Sequence, residues 1–294
     1  MTDQTGRGRA ALAALIGGAL IGLAPIAIRV SEVGPHATNM WRFLFALPIL
    51  AAWAGLTRPI PSRGQTVLLL AGGVLFGIEI SLWAAALGLT TVANATLLVN
   101  LTPVFAALFG WLLFKERLSA PILTGGAAAF VGAIVLALAR AQGGMGPAEG
   151  APHGFLGDSF ALTGALFYAG YFMILRGLGS AVSLGAVMFW VTLVAAAISA
   201  ALAVTLHEAM LPQTLFGWAL VIALGIVVQV GGQGLIAYGV ARLPLVVSTV
   251  LLWTQPLAAA ALSWMLFGEA LGPLAFAGAA LILAGIYAVQ RARS

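Results

Sequence analysis

Uncharged apolar runs close to twenty residues long recur along this chain, and the first, AALAALIGGALIGLAPIAI from Ala10 to Ile28, is 19 residues long. A helix rising 1.5 Å per residue needs about 20 residues to cross a hydrocarbon layer of roughly 30 Å. Backbone exposed to lipid must satisfy its own hydrogen bonds, which leaves only helices or a closed barrel. A barrel would be built from segments of about ten residues alternating apolar and polar positions, and the chain shows no such alternation. The predicted fold is therefore an all-α polytopic membrane protein. Composition agrees: 7% of residues are charged and 62% are hydrophobic, whereas soluble domains carry about 25% charge.

The net charge of +5 sits largely at the ends of apolar runs, where it serves topology, and gives no support to a nucleic-acid partner. With no cysteine and with His36, His153 and His207 scattered, neither a disulfide framework nor a metal site is expected, and no cofactor is implied. Arg7 and Arg9 ahead of the first run imitate a secretory signal, but the run is long and no cleavage site follows it. It reads as an uncleaved first span.

Ten candidate helices follow, at about 10–28, 36–56, 65–88, 92–114, 119–139, 155–176, 183–206, 214–239, 244–267 and 272–290. The Gly- and Pro-rich stretch ARAQGGMGPAEGAPHG, from Ala139, reads as an exposed linker. It divides the chain into a first five-helix unit (1–140), a linker (141–153) and a second unit (154–294). A cytoplasmic amino terminus places ten basic residues inside (Arg7, Arg9, Arg58, Arg63, Lys115, Arg117, Arg176, Arg242, Arg291 and Arg293) and three outside or in outer membrane halves (Arg29, Arg42 and Arg140). This is the positive-inside bias. It predicts a multi-pass protein of the plasma (inner) membrane with both termini in the cytoplasm.

The chain also repeats itself. A constant shift of 153 residues carries Pro103 onto Pro256, Thr96 onto Thr249, Trp111 onto Trp264, Phe114 onto Phe267, Glu116 onto Glu269, Gly125 onto Gly278 and Gly132 onto Gly285. A rare Pro, Trp and Glu in register point to duplication. Because five spans is an odd number, the second copy enters the membrane from the opposite side, giving an inverted five-plus-five repeat of the kind found in secondary transporters.

The phrases WRFLFA at Trp41, AALGLTTVANATLLVNLTPVFAALFGWLLFKERLS at Ala85 and AYGVARLPLVVSTVLLWTQPLAAAALSWMLFGEALG at Ala237 resemble the twice-repeated signature of EamA-type members of the drug/metabolite transporter superfamily. The resemblance implies ten helices around a central cavity and export of small metabolites by alternating access without ATP hydrolysis. Within the superfamily the chain looks most like the YddG-type exporters, for which aromatic amino acids are the implied substrates. Its first span reads IGLAP at Ile21, where relatives carry a Trp-Gly pair.

Helical spacing puts Thr96, Asn100 and Pro103 on one face of the fourth span and Thr249, Trp253 and Pro256, with Gln255 alongside, on the matching face of the ninth. Each proline removes a backbone donor and can open its helix near the midplane. These stripes line a cavity or, alternatively, pack helices through hydrogen bonds; on the cavity reading, Asn100 and Trp253 face each other across the substrate. Gln229 and Gln233, four residues apart, and Tyr168 and Tyr171 beside Gly164 add polar edges. Tyr171 and Trp83 also fit the role of interface anchors. Gly18 with Gly22, and Gly73 with Gly77, have the spacing of close helix contacts.

Glu79 lies about fifteen residues into the third span, amid LFGI and ISLW. A carboxylate there must be protonated, paired or facing water. It either handles substrate or protons, or pairs with Arg42.

Lys115, the sole lysine, lies in a loop, so deep cations are scarce and multiply anionic substrates are disfavoured. A neutral, zwitterionic or cationic molecule with an apolar part suits this lining. The expected function is secondary export of small metabolites, most of all amino acids including aromatic ones. Export of amphipathic cationic drugs or amines is the alternative, and a channel or a non-transporting scaffold is the alternative of another class. Intramembrane catalysis has no support, since neither HExxH nor a Ser/His/Asp constellation is present in the spans. The expected partners are a small-molecule substrate and the lipid bilayer, with the protein working as a monomer.

Overall fold

The computed structural model describes residues 2–89, 98–99, 101–115, 119–142, 154–267 and 272–291. Every regular element among them is a helix. In chain order these are α1 (Thr2–Ile21), α2 (Ala24–Arg29), α3 (Pro35–Leu56), α4 (Arg63–Leu89), α5 (Thr102–Phe114), α6 (Ala120–Gln142), α7 (Gly154–Leu178), α8 (Leu184–Thr205), α9 (Leu215–Ala223), a π-helical segment (Leu224–Gln233), α10 (Gly234–Val240), α11 (Leu245–Leu251), α12 (Thr254–Phe267) and α13 (Pro273–Arg291). Among the described residues, six helical stretches are long and apolar enough to cross a membrane: Gly6–Ile28, Pro35–Leu56, Arg63–Ala86, Phe155–Leu178, Leu184–Thr205 and Leu215–Val240. Shorter apolar helices accompany them. This is a multi-pass membrane protein.

Three of the predicted spans are interrupted beside a proline, two of them at Pro103 and Pro256, where the missing donor is expected to open the helix. The predicted helix 244–267 stops at Leu251 and restarts at Thr254, with Pro256 in the first turn of α12. Pro256 has no N–H to give, and a continuous helix would drive its ring into the carbonyl of Leu252. The chain tightens instead: the backbone N–H groups of Leu252, Trp253 and Gln255 donate three residues back, to Thr249, Val250 and Leu252, at 3.2, 3.1 and 2.9 Å. Pro103 also lies in the first turn of its helix, α5, where Val104 N–H donates to Leu101 O at 2.8 Å. Pro25 likewise opens α2 after a turn at Gly22–Leu23. Proline is tolerated in a first turn because that N–H has no partner to lose. Residues 90–97 and 100 of the predicted fourth span lie outside the described residues.

The predicted span 214–239 is continuous but changes pitch, running as a π-helix from Leu224 to Gln233 between two α-helical pieces. Its glycines let it approach its neighbours closely. A Cβ on Gly225 would stand 2.8 Å from the Arg42 carbonyl, and one on Gly232 would stand 3.2 Å from the Leu20 and Ile21 side chains.

The helices α6 and α13 pack against each other, and their crossing is reciprocal. A Cβ on Gly132 would lie 2.7 Å from the Gly278 carbonyl, and one on Gly285 would lie 2.6 Å from the Ala129 N, beside the Gly125 carbonyl. These four glycines are the two pairs related by the 153-residue shift, and the two helices run antiparallel. In the rest of the bundle, α3 packs on α8, α4 lies between α7 and α8, and α1 lies on the π segment and α10. Gly73 and Gly77 make the α4–α8 approach, facing Val191, Val194, Ala195 and Ile198, while Gly18 and Gly22 face Thr254 and Gln255–Ala258 at the start of α12.

Candidate functional site

The polar residues of the spans converge where α3, α4, α7, α8 and the π segment meet. Arg42, only 3% exposed, donates from Nη2 to Gln229 Oε1 at 2.9 Å, and Gln229 Nε2 donates to Thr192 Oγ1 on α8 at 2.8 Å. One link later along the π segment, Gln233 Nε2 donates to the Tyr171 hydroxyl on α7 at 3.4 Å. Each π turn takes more residues than an α turn, so side chains four apart stay close to one face; Gln229 and Gln233 are both buried there. Glu79, 7% exposed, sits where Gly164 of α7 approaches α4, one turn beyond the Phe76 ring that meets those of Tyr168 and Tyr171.

Aromatic rings form the adjoining wall. Phe76, one turn before Glu79, has its ring centroid 5.1 Å from that of Tyr171 and 6.0 Å from that of Phe43. The Tyr168 and Phe172 centroids lie 4.2 Å apart, and the Arg42 guanidinium carbon stands 5.4 Å from the centre of the Phe43 ring. Several polar atoms here are buried without a partner: both amide atoms of Asn39, Nε of Arg42 and the Ser199 hydroxyl. Desolvated polar groups left unpaired are costly, and they mark where water or a ligand completes the structure.

Of the residues singled out from sequence, the structure brings together Glu79, Tyr168, Tyr171, Gln229 and Gln233. It does not bring Trp253 to them. Trp253 is 3% exposed and packs into a separate cluster with Ala129, Val247 and Ile282, its ring 6.2 Å from that of Phe130, although its indole N–H is unpartnered. Thr249 is buried and donates within its own helix to Val246 O at 2.8 Å. Pro103 and Pro256 are buried in their first turns, and Gln255 and Trp83 are half-buried. Thr96 and Asn100 lie outside the described residues. Glu79 and Arg42 form no direct ion pair, because the guanidinium is turned to Gln229.

Thr192, Asn39 and Ser199 are additions that sequence reasoning missed. Asn39 and Arg42 share a face of α3 at a three-residue spacing, a legible signal; Thr192 and Ser199 look like ordinary small polar residues of an apolar helix. At the far end of α3 a second polar set ties the two halves of the chain. The Glu208 carboxylate takes the Ala37 N–H at 2.8 Å and meets His36 Nδ1 at 2.7 Å, and Trp41 Nε1 donates to Met210 O at 2.7 Å. Glu32 accepts from the Thr214 hydroxyl and from the backbone N–H groups of Gln213 and Thr214 at 2.8 and 3.0 Å.

Comparison with known proteins bears on the fold and the family. A solved crystal structure of a protein superposes with a TM-score of 0.78 over 97% of this chain and 98% of its own at 23% identity, a likeness of fold alone. An uncharacterized transporter of Archaeoglobus fulgidus is 34% identical over 118 residues, which is 38% of this chain and 39% of that relative's length. The model of the EamA-like transporter family matches residues 8–138 and again 155–291. With nearly all of its residues inside those two matches, the chain belongs to the EamA-like transporter family.

Proposed function

We propose that this protein is a secondary carrier that exports small organic molecules, amino acids including aromatic ones foremost, by exposing one interior site to each face of the plasma membrane in turn. The observation that carries the reading is the buried polar cluster of Arg42, Gln229, Thr192, Glu79, Tyr171 and Gln233 inside a bundle of apolar helices. Intramembrane ionisable groups are expensive and mark substrate or ion paths. Broken helices at Pro25, Pro103 and Pro256 and a π segment beside the cluster are the discontinuities that carriers use near the midplane.

Ten spans in two inverted five-helix units, 1–140 and 154–294 joined by an external 141–153 linker, complete the proposal. The double family match and the reciprocal antiparallel glycine crossing of α6 and α13 support it. Both termini are then cytoplasmic, and a monomer is sufficient. Export of amphipathic cationic amines is the second reading, favoured by a Glu79 carboxylate with aromatic rings beside it.

Counterflow in proteoliposomes, with a substrate panel and with or without a pH gradient, tests the proposal. Saturable, trans-stimulated flux of amino acids is expected. Flux that neither saturates nor responds to substrate on the opposite side would make the protein a channel, and preference for amines over amino acids would establish the second reading.

A further inference from the structure

An arginine and a glutamate lie inside the bundle without touching. Arg42 on α3 and Glu79 on α4 are both buried, on either side of the place where the rings of Phe43 and Phe76 meet with centroids 6.0 Å apart. Arg42 commits one Nη to Gln229 and leaves Nε unpartnered. Among the described residues no donor reaches the Glu79 carboxylate. A direct salt bridge would be the simplest way to compensate two charges in a low-dielectric interior. Among the described residues its absence leaves the Nε edge of the guanidinium unpartnered and gives the carboxylate no donor, with the unpartnered amide of Asn39 one turn before Arg42 and the unpartnered hydroxyl of Ser199 on α8, the helix packed against both α3 and α4.

Charge decides what fits such a pair. A lone anion would satisfy Arg42 but be repelled by Glu79, and a lone cation would meet the converse. A head group with both charges side by side satisfies the two at once and brings no net charge into the membrane. The rings of Phe43 and Phe76, each within one turn of Arg42 or Glu79, and that of Tyr171 pack together beside them as an apolar wall that a ligand side chain would have to part.

We propose that Arg42 and Glu79 form a two-point receptor for a zwitterionic head group, its carboxylate docking on the guanidinium and its ammonium on the Glu79 carboxylate, with Phe43, Phe76 and Tyr171 taking an apolar side chain. The assignment rests on the carrier reading above and names the residues that read the substrate's polar end.

The test is equilibrium binding to the purified full-length protein in detergent, followed by calorimetry, with phenylalanine, phenethylamine and 3-phenylpropanoate as probes. They share one ring and carry both charges, the cation alone or the anion alone. The wild-type protein should bind phenylalanine at least about tenfold more tightly than either analogue, the difference one charge-assisted contact makes. Glu79→Gln should erase the preference over 3-phenylpropanoate, and Arg42→Gln the preference over phenethylamine.

Equal wild-type affinity for all three overturns the receptor, as does a Glu79→Gln protein that keeps its discrimination. The wild-type panel and Glu79→Gln decide the matter even where Arg42→Gln does not fold. No binding of any probe by a protein that still shows counterflow of other molecules overturns the receptor and leaves the carrier standing. The predicted selectivity in a protein without counterflow supports the receptor and overturns the carrier.

Discussion

Replacing Gly132 by Ala adds one methyl group where two helices cross. An alanine Cβ there would lie 2.7 Å from both the Gly278 carbonyl oxygen and the Ile282 nitrogen, about 0.7 Å inside the 3.4 Å at which ordinary contact begins. Both obstructing atoms are backbone, so no side chain can swing aside and α13 itself must move. Overpacking of this kind costs about 1–3 kcal/mol, while Gly→Ala in a helix returns at most about 1 kcal/mol of intrinsic propensity. With backbone on both contacts the cost falls toward the upper end of that range, about 2–3 kcal/mol, so the net loss should be about 1–2 kcal/mol. Gly285→Ala should behave alike, since its Cβ would meet Ala129 N at 2.6 Å in the reciprocal contact. Gly55→Ala is the control, because nothing stands within 4 Å of its Cβ. The assay is the fraction of monodisperse protein surviving a temperature series, read by size-exclusion chromatography. Gly132→Ala and Gly285→Ala should both lose protein at lower temperature than wild type, and Gly55→Ala should not. If the two crossing variants match the control, the close α6–α13 contact is refuted.

Three other outcomes follow from individual contacts. Trp253→Ala should reduce folded yield, with a cost of about 3–5 kcal/mol typical of truncating a packed Trp, whereas normal yield with altered substrate preference would return the indole to the cavity wall. Glu32 is held below its ordinary value of 4.5 by the Thr214 hydroxyl first and then by the backbone N–H groups of Gln213 and Thr214. A depressed carboxylate stabilises the fold above its unfolded value and loses that contribution as pH falls through the lower folded value. Wild type should therefore lose more thermal stability than Glu32→Gln on going from neutral pH to below 4.5, and parallel losses would remove the carboxylate from the tie. In this cysteine-free chain, a cysteine placed at Arg58 should react with an impermeant maleimide only from the cytoplasm and one at Gln213 only from outside; the reverse pattern would invert the proposed topology.

The helices were legible because membrane solvation forces long apolar runs, and the breaks at Pro103 and Pro256 were legible because a missing N–H is written in the sequence. The pitch change at Leu224–Gln233 was not, since no residue type demands a π turn and its glycines reveal their role only against Arg42 and Ile21. Gln229 and Gln233 stood out as polar residues in an apolar run. Their partners did not: Arg42 and Gln229 are 187 residues apart, and their meeting depends on how α3 and the π segment rotate about their axes. Trp253 falls in the turn between α11 and α12, and there it packs into the Phe130 cluster, although helical spacing alone places it on a polar stripe.

The central claim, one interior site reached from each face in turn, is tested most directly at Ser199, whose hydroxyl is buried without a partner beside α3 and α4. Ser199→Cys is nearly isosteric and introduces the chain's one thiol. In right-side-out and inside-out vesicles, a small membrane-impermeant thiol reagent should label it from both sides, and phenylalanine at saturating concentration should protect it in both. Labelling from one face alone, or labelling that phenylalanine leaves unchanged, would contradict alternating access to this site.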